Sequence, residues 1–178
     1  AASCYGIVRV LVLRRQPSSP LASHPSFARW HAPDLWVWGL IAALGLVAAL
    51  KWLADQMRQQ YRLSVEVEVQ AGLSVKLPED QAVLIFQSIR ELLINVAKHA
   101  RVDQATIRMQ QHDGQLKIAV VDEGLGSDTV TSTSGAPSSK FGLFSIGERM
   151  RALGGTFDFT STQGKGTTAT LTMPVPPA

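Results

Sequence analysis

One cysteine, Cys4, is all the thiol the chain contains. No disulfide can close within it and no cysteine-rich metal site can form, which fits a reducing compartment. Charge is scarce as well. Seventeen basic and 14 acidic residues leave a formal +3, too mild an excess to argue for a nucleic-acid partner. Acidic residues are missing altogether from residues 1–33, which carry Arg9, Arg14, Arg15 and Arg29. The first apolar stretch, Tyr5 to Leu13, is short and ends in Arg14-Arg15 without a small-residue cleavage pattern, so it does not read as a secretory signal. There are no internal repeats.

What is present divides into three parts. Residues 1–33 form a basic appendage or linker, punctuated by Pro17, Pro20, Pro25 and Pro33 with serines between them. Residues 34–62 form an apolar lead-in helix. Within it, Leu35 to Leu50 is charge-free for sixteen residues and reaches Ala54 if Lys51 is tolerated. A membrane-spanning helix needs about 17–25 such residues, and Trp36, Trp38 and Trp52 resemble an interfacial belt, so 35–54 is a candidate membrane span. The alternative is a buried helix that feeds a folded domain.

That domain, over about residues 46–174, alternates helical and strand patterns. The first helix runs to about Tyr61. Leu63 to Val69 alternates as a half-buried strand, and Ser74 to Leu77 is a short one. Pro78-Glu79-Asp80 opens a long helix to about Ala100, with acids at its positive end. Strands over Ala105–Gln110 and Leu116–Val121 flank a turn at His112-Asp113-Gly114. A Gly/Ser/Thr-rich loop extends to Lys140, a helix covers Gly142–Leu153, and Thr156–Ser161 with Thr167–Met173 makes a last hairpin.

Four stretches carry candidate chemistry. On the long helix, Ile85, Ile89, Leu92 and Val96 mark a core face. Glu91, Asn95 and Lys98 line up at i, i+4 and i+7 on another face, beside His99. An amide oxygen suits Mg²⁺ and an ammonium suits phosphate, although a solvated charged face gives the same spacing. Asp122-Glu123-Gly124-Leu125-Gly126 follows an apolar strand. It can present a carboxylate to an exocyclic amine while backbone approaches closely, or be a plain acidic turn. Gly142 stands where the loop becomes a helix, so the first-turn N–H groups offer an anion site; the same helix faces the core with Leu143, Ile146 and Met150. Gly164-Lys165-Gly166-Thr167 is at least a tight hairpin turn.

Taken in order, these stretches resemble the GHKL ATPases, the superfamily of gyrase, a heat-shock chaperone, histidine kinases and mismatch-repair proteins. ELLINVAKHA is similar to the N box of histidine kinases of the nitrate-sensor type, VDEGLGSD to their G1 box, FGLFSIGERMRALGG to their G2 region and GKGTTATLTMP to their G3 end. LGLVAALKWLADQM is similar to the stretch that enters the domain in this branch, which favours the buried lead-in helix over the membrane span.

The resemblance implies an α/β two-layer sandwich of the Bergerat type, a mixed sheet with helices on one face, binding ATP and Mg²⁺ between them. It implies that Asn95 holds Mg²⁺, Glu91 acts as base or orients the attacking group, and Lys98 and His99 contact phosphate. Asp122 would receive the adenine amino group, Gly124 and Gly126 would let the base pack closely, and residues 127–141 would form a lid hinged at Gly142 and Leu143. Thr167 would help close the far wall. It also implies partners: a histidine-bearing dimerisation domain, a response regulator, and a setting on the cytoplasmic face. None of His24, His31, His99 and His112 has the acid-flanked context of a phosphoacceptor, so the acceptor is expected on a separate or missing domain. An anti-sigma-type serine kinase and a non-catalytic nucleotide-binding module are the competing functions.

Overall fold

The computed structural model describes residues 35–73, 77–126 and 137–175. The chain divides into two units, residues 1–35 and 36–178. All but Leu35 of the first lies outside the described residues, and so does most of the strand expected at Ser74–Leu77.

Helix α1 (Leu35–Tyr61) holds the apolar run, but Gly45 interrupts it with φ 79° and ψ 172°. Only glycine enters that conformation freely. After the break, Leu46, Ala49, Leu50, Leu53 and Met57 recur at helical spacing and are all buried in the core. The part of the candidate span that follows Gly45 therefore serves as one face of a packed helix. Among the described residues no helix is long and apolar enough to cross a membrane, so the candidate span at 35–54 is not met.

Among the described residues, five strands form one mixed sheet in the order β1-β2-β3-β5-β4. They are β1 (Ser64–Val69), β2 (Gln104–His112), β3 (Gln115–Asp122), β4 (Thr156–Thr162) and β5 (Gly166–Pro174). The β1–β2 pair is parallel and the remaining pairs are antiparallel. The parallel pair requires a crossover, and helix α2 (Glu79–Asn95) lies in that connection. Every second residue of the central strands is buried: Ala105, Ile107 and Met109; Leu116, Ile118 and Val120; Ala169, Leu171 and Met173. These join Ile85, Ile89, Leu92 and Leu93 of α2 and Ile146 and Met150 of helix α3 (Pro137–Ala152) in one core. The opposite sheet face is polar, with Arg108 donating to Glu68 at 2.8 Å across β1 and β2. This is the two-layer sandwich expected from the sequence.

Two local features depart from the expected elements. The long helix does not stay α to its end: Val96–Ala100 is a π turn, closed by Arg101 in a left-handed conformation. Helix α3 starts at Pro137, five residues before Gly142. Proline suits a first helical position because its missing N–H is not needed there. Gly142 is thus interior to the helix, and the anion site expected from first-turn N–H groups at Gly142 does not form there.

Candidate functional site

The inward face of the sheet changes chemistry at one end. Ile118, Leu171 and Phe157 are opposed across β3, β5 and β4, and so are Val120, Ala169 and Phe159. The next row along is Asp122, Thr167 and Ser161. Alternation keeps all three side chains on the core side of the sheet. Asp122 and Ser161 are each only 5% exposed. Buried polar groups are costly unless hydrogen-bonded. Here Ser161 Oγ and Thr167 Oγ1 lie 3.1 Å apart, and Asp122 Oδ1 accepts the Gly124 N–H at 2.9 Å.

The loop after Asp122 is strapped on both sides. Leu125 N–H donates to the Ala100 carbonyl at 3.0 Å, tying the loop to the π turn. Gly164 N–H donates to the Leu125 carbonyl at 2.6 Å, tying it to the β4–β5 turn. Its glycines are needed by the protein's own backbone. A Cβ at Gly124 would strike the Ala100 carbonyl, and one at Gly126 (φ 58°) would strike the Thr162 carbonyl. Close approach was foreseen at both positions, and the first thing that approaches is backbone.

Gly142 serves a related purpose. A Cβ there would lie 2.8 Å from Glu91 Oε1. The helix that carries Gly142 thus passes directly against the carboxylate of α2, and the glycine makes room for it. Leu143, the next residue, packs against the core. Glu91 and Asn95 are half-buried one turn apart, Asn95 at the last α-helical position. Lys98 and His99 are exposed on the π turn. The α-helical step of about 100° per residue that aligned Lys98 with Glu91 and Asn95 stops at Asn95. The lid expected over 127–141 lies mostly outside the described residues.

The structure therefore brings together Glu91 with Gly142, and Asp122 with Gly124, Gly126, Thr167 and the end of α2. Lys98 and His99 flank the group. Ser161 was not foreseen. Its signal was present in the alternation of Phe157, Phe159 and Ser161, where a hydroxyl takes the third inward position.

For Mg²⁺ the donor set is informative. Among the described residues no cluster of three or more His, Cys, Asp or Glu could hold a metal. Mg²⁺ is commonly held by one or two protein oxygens while phosphates and water complete its octahedron. The Asn95 carboxamide near Glu91 fits a nucleotide-borne ion of that kind.

Comparisons with known proteins match this geometry. The chain is 30% identical over 135 residues to the sensor histidine kinase LiaS of Bacillus subtilis (strain 168), covering 75% of this chain and 35% of that protein. It is 29% identical over 139 residues to an uncharacterized sensor-like histidine kinase of Chloroflexus aurantiacus, covering 76% and 23%. The chain thus spans about a third or less of these relatives. Among solved structures, the Erythrobacter litoralis EL346 blue-light activated histidine kinase superposes with a TM-score of 0.60 at 24% identity, covering 73% of this chain and 42% of that one. The Acinetobacter baumannii histidine kinase AdeS does so at 0.61 and 16%, covering 81% and 76%. Both show the shared fold. The profile of the histidine kinase-, DNA gyrase B- and HSP90-like ATPases matches residues 80–177, from the first turn of α2 to beyond β5. A match that takes in the Glu91–Asn95 helix, the Asp122 loop and the terminal hairpin together makes this chain a member of that ATPase family.

Proposed function

We propose that the domain over about residues 46–174 is the ATP-binding catalytic part of a two-component sensor histidine kinase, working on the cytoplasmic face in signal transduction. The observation that carries the reading is the convergence of the Asp122 loop, the end of α2 and the β4–β5 turn at the polar end of an otherwise apolar sheet face. Sensor histidine kinases among the relatives favour this over an anti-sigma-type serine kinase or a non-catalytic module. The wording of Leu44–Met57 and of the G2 region supports the nitrate-sensor-type branch.

In this function Asp122 accepts the adenine amino group with the oxygen it does not spend on Gly124. Gly124 and Gly126 keep the loop thin beside the base, and Thr167 closes the wall behind it. Asn95 supplies an amide oxygen to Mg²⁺, which would neutralise charge on the phosphates. Lys98 and His99, exposed on the π turn after α2, contact phosphate oxygens. Gly142 and Leu143 lie inside α3, where Gly142 leaves room for the Glu91 carboxylate.

Glu91, pressed against Gly142, accepts the proton of the incoming imidazole or orients it. An imidazole nitrogen of the acceptor histidine bonds to the γ-phosphorus as the bond to the β–γ bridging oxygen breaks, and ADP leaves. Such transfer is catalysed by positioning and electrostatics, with the reacting atoms held about 3–3.5 Å apart. The acceptor histidine belongs to a dimerisation domain, and a response regulator receives the phosphoryl group next.

The test mixes the protein with γ-labelled ATP, Mg²⁺ and a dimerisation domain of the same kinase class supplied in trans. Acid-labile label on that domain is expected, and none on this chain alone. Acid-stable label on a serine, or label on His24 or His31, would overturn the assignment. Asn95→Asp should remove Mg²⁺-dependent ATP binding in calorimetry, because a carboxylate adds charge beside the phosphates.

A further inference from the structure

Ser161 is a buried group that the proposed mechanism leaves unused. It occupies the inward position of β4 that follows Phe157 and Phe159, and β4 is the last strand of the sheet among the described residues. A third apolar residue there would extend the core, and the chain places a hydroxyl instead. The hydroxyl is buried and in contact with Thr167 Oγ1 at 3.1 Å. Thr167 is in register with Asp122 on its other side. Directly opposed residues in an antiparallel pair have Cβ atoms about 4.5–5.5 Å apart, so Thr167 stands between Ser161 and Asp122 along the row.

A hydroxyl has one proton to donate and two lone pairs, and its proton rotates to suit its neighbours. Thr167 therefore has no fixed direction of its own. Held against Ser161, it commits one of its capacities to β4 and keeps the rest for other neighbours. We propose that Ser161 is a specificity-positioning residue. By fixing the Thr167 hydroxyl, it makes Thr167 and Asp122 read the amino edge of adenine as one unit. The proposal rests on the ATP-binding reading given above.

Two nucleotides separate its failure from that of the ATP reading: ATP, and purine riboside triphosphate, which is ATP without the 6-amino group. Calorimetry on the whole chain gives the affinity ratio for each variant. The wild-type protein is expected to prefer ATP, and Ser161→Ala to lose about three- to tenfold of that preference, the size of one neutral hydrogen bond. Ser161→Thr, which restores a hydroxyl on a β-branched residue suited to a strand, should recover it. Equal weakening of both nucleotides, or an unchanged ratio, would reduce Ser161 to a structural residue and overturn the proposal. Wild-type protein that binds neither nucleotide would instead overturn the ATP reading. Should Ser161→Ala not fold, Ser161→Cys, which keeps the shape with a weaker donor, must still lower the ratio.

Discussion

Two neighbouring rows of the same sheet face differ in kind. Val120, Ala169 and Phe159 are opposed on β3, β5 and β4, and one inward step further are Asp122, Thr167 and Ser161. Strands, register and direction are shared. The first row is hydrocarbon packed under the helices. The second is a carboxylate and two hydroxyls, held by the Gly124 N–H and by one another. A fold of this kind is stabilised by rows like the first, since burial of apolar surface is its main favourable term. Rows like the second contribute little net stability, because buried polar groups exchange one set of hydrogen bonds for another. Their presence where a third apolar row would fit is the clearest mark of where the core ends and the site begins.

Exchanging the chemistry of the rows should have the largest effect. Val120→Asp places an unpaired carboxylate among Ile118, Leu171 and the helices, and an uncompensated buried charge costs about 3–5 kcal/mol. Urea denaturation should show a collapsed midpoint or no folded protein. A native-like midpoint would mean that this row is not sealed from water.

Removing hydrocarbon without adding charge should cost somewhat less. Ile118→Ala should destabilise by about 2–5 kcal/mol, with the preference for ATP over GTP intact in the folded fraction. A changed nucleotide preference would blur the boundary between the rows.

Asp122→Asn should behave oppositely. It keeps the shape and an acceptor for Gly124, but loses the charge-assisted bond proposed for the adenine amine. ATP affinity should fall roughly ten- to a hundredfold, corresponding to about 1.5–3 kcal/mol, while the urea midpoint moves little. Wild-type protein that binds ATP and GTP equally would remove Asp122 from base selection.

Gly142→Ala tests the helix side of the site. Alanine favours the helix, yet its methyl group must displace the Glu91 carboxylate. Phosphotransfer to an acceptor in trans should fall by about tenfold with ATP binding retained, since small misplacements of a reacting group are costly. Unaltered transfer would show that Glu91 has no positional role. The smallest effect belongs to the outward side of the same strand. Thr168→Val, between Thr167 and Ala169 but exposed, should stay within about 0.5 kcal/mol of wild type and leave both nucleotide ratios unchanged.

Much of this was legible in the chain itself because it is periodic. Alternation from Leu116 to Val120 and from Ala169 to Met173 set which face is buried. Three-to-four spacing from Ile85 to Val96 set the core side of α2. The change from Val120 to Asp122 after an apolar strand marked the end of the core. The β-strand period of two and the helical period of 3.6 are properties of the backbone, so residues on one element can be sorted without knowing its neighbours.

What the tertiary structure alone decided involves residues distant in sequence. Gly45 could have continued a membrane-length helix or broken it. It broke because Leu46 to Met57 find the core, and burial there outweighs helical continuity. The π turn at 96–100 follows α2 where Leu125 bonds the Ala100 carbonyl, so Lys98 leaves the helical register that aligned it with Glu91 and Asn95. Gly142 looked like a helix start, and proved to be the clearance for a carboxylate 51 positions earlier. Ser161 gained its significance only from Thr167 and Asp122 on adjacent strands. Register, close approach and hydrogen-bond direction are relations between elements, and local pattern does not carry them.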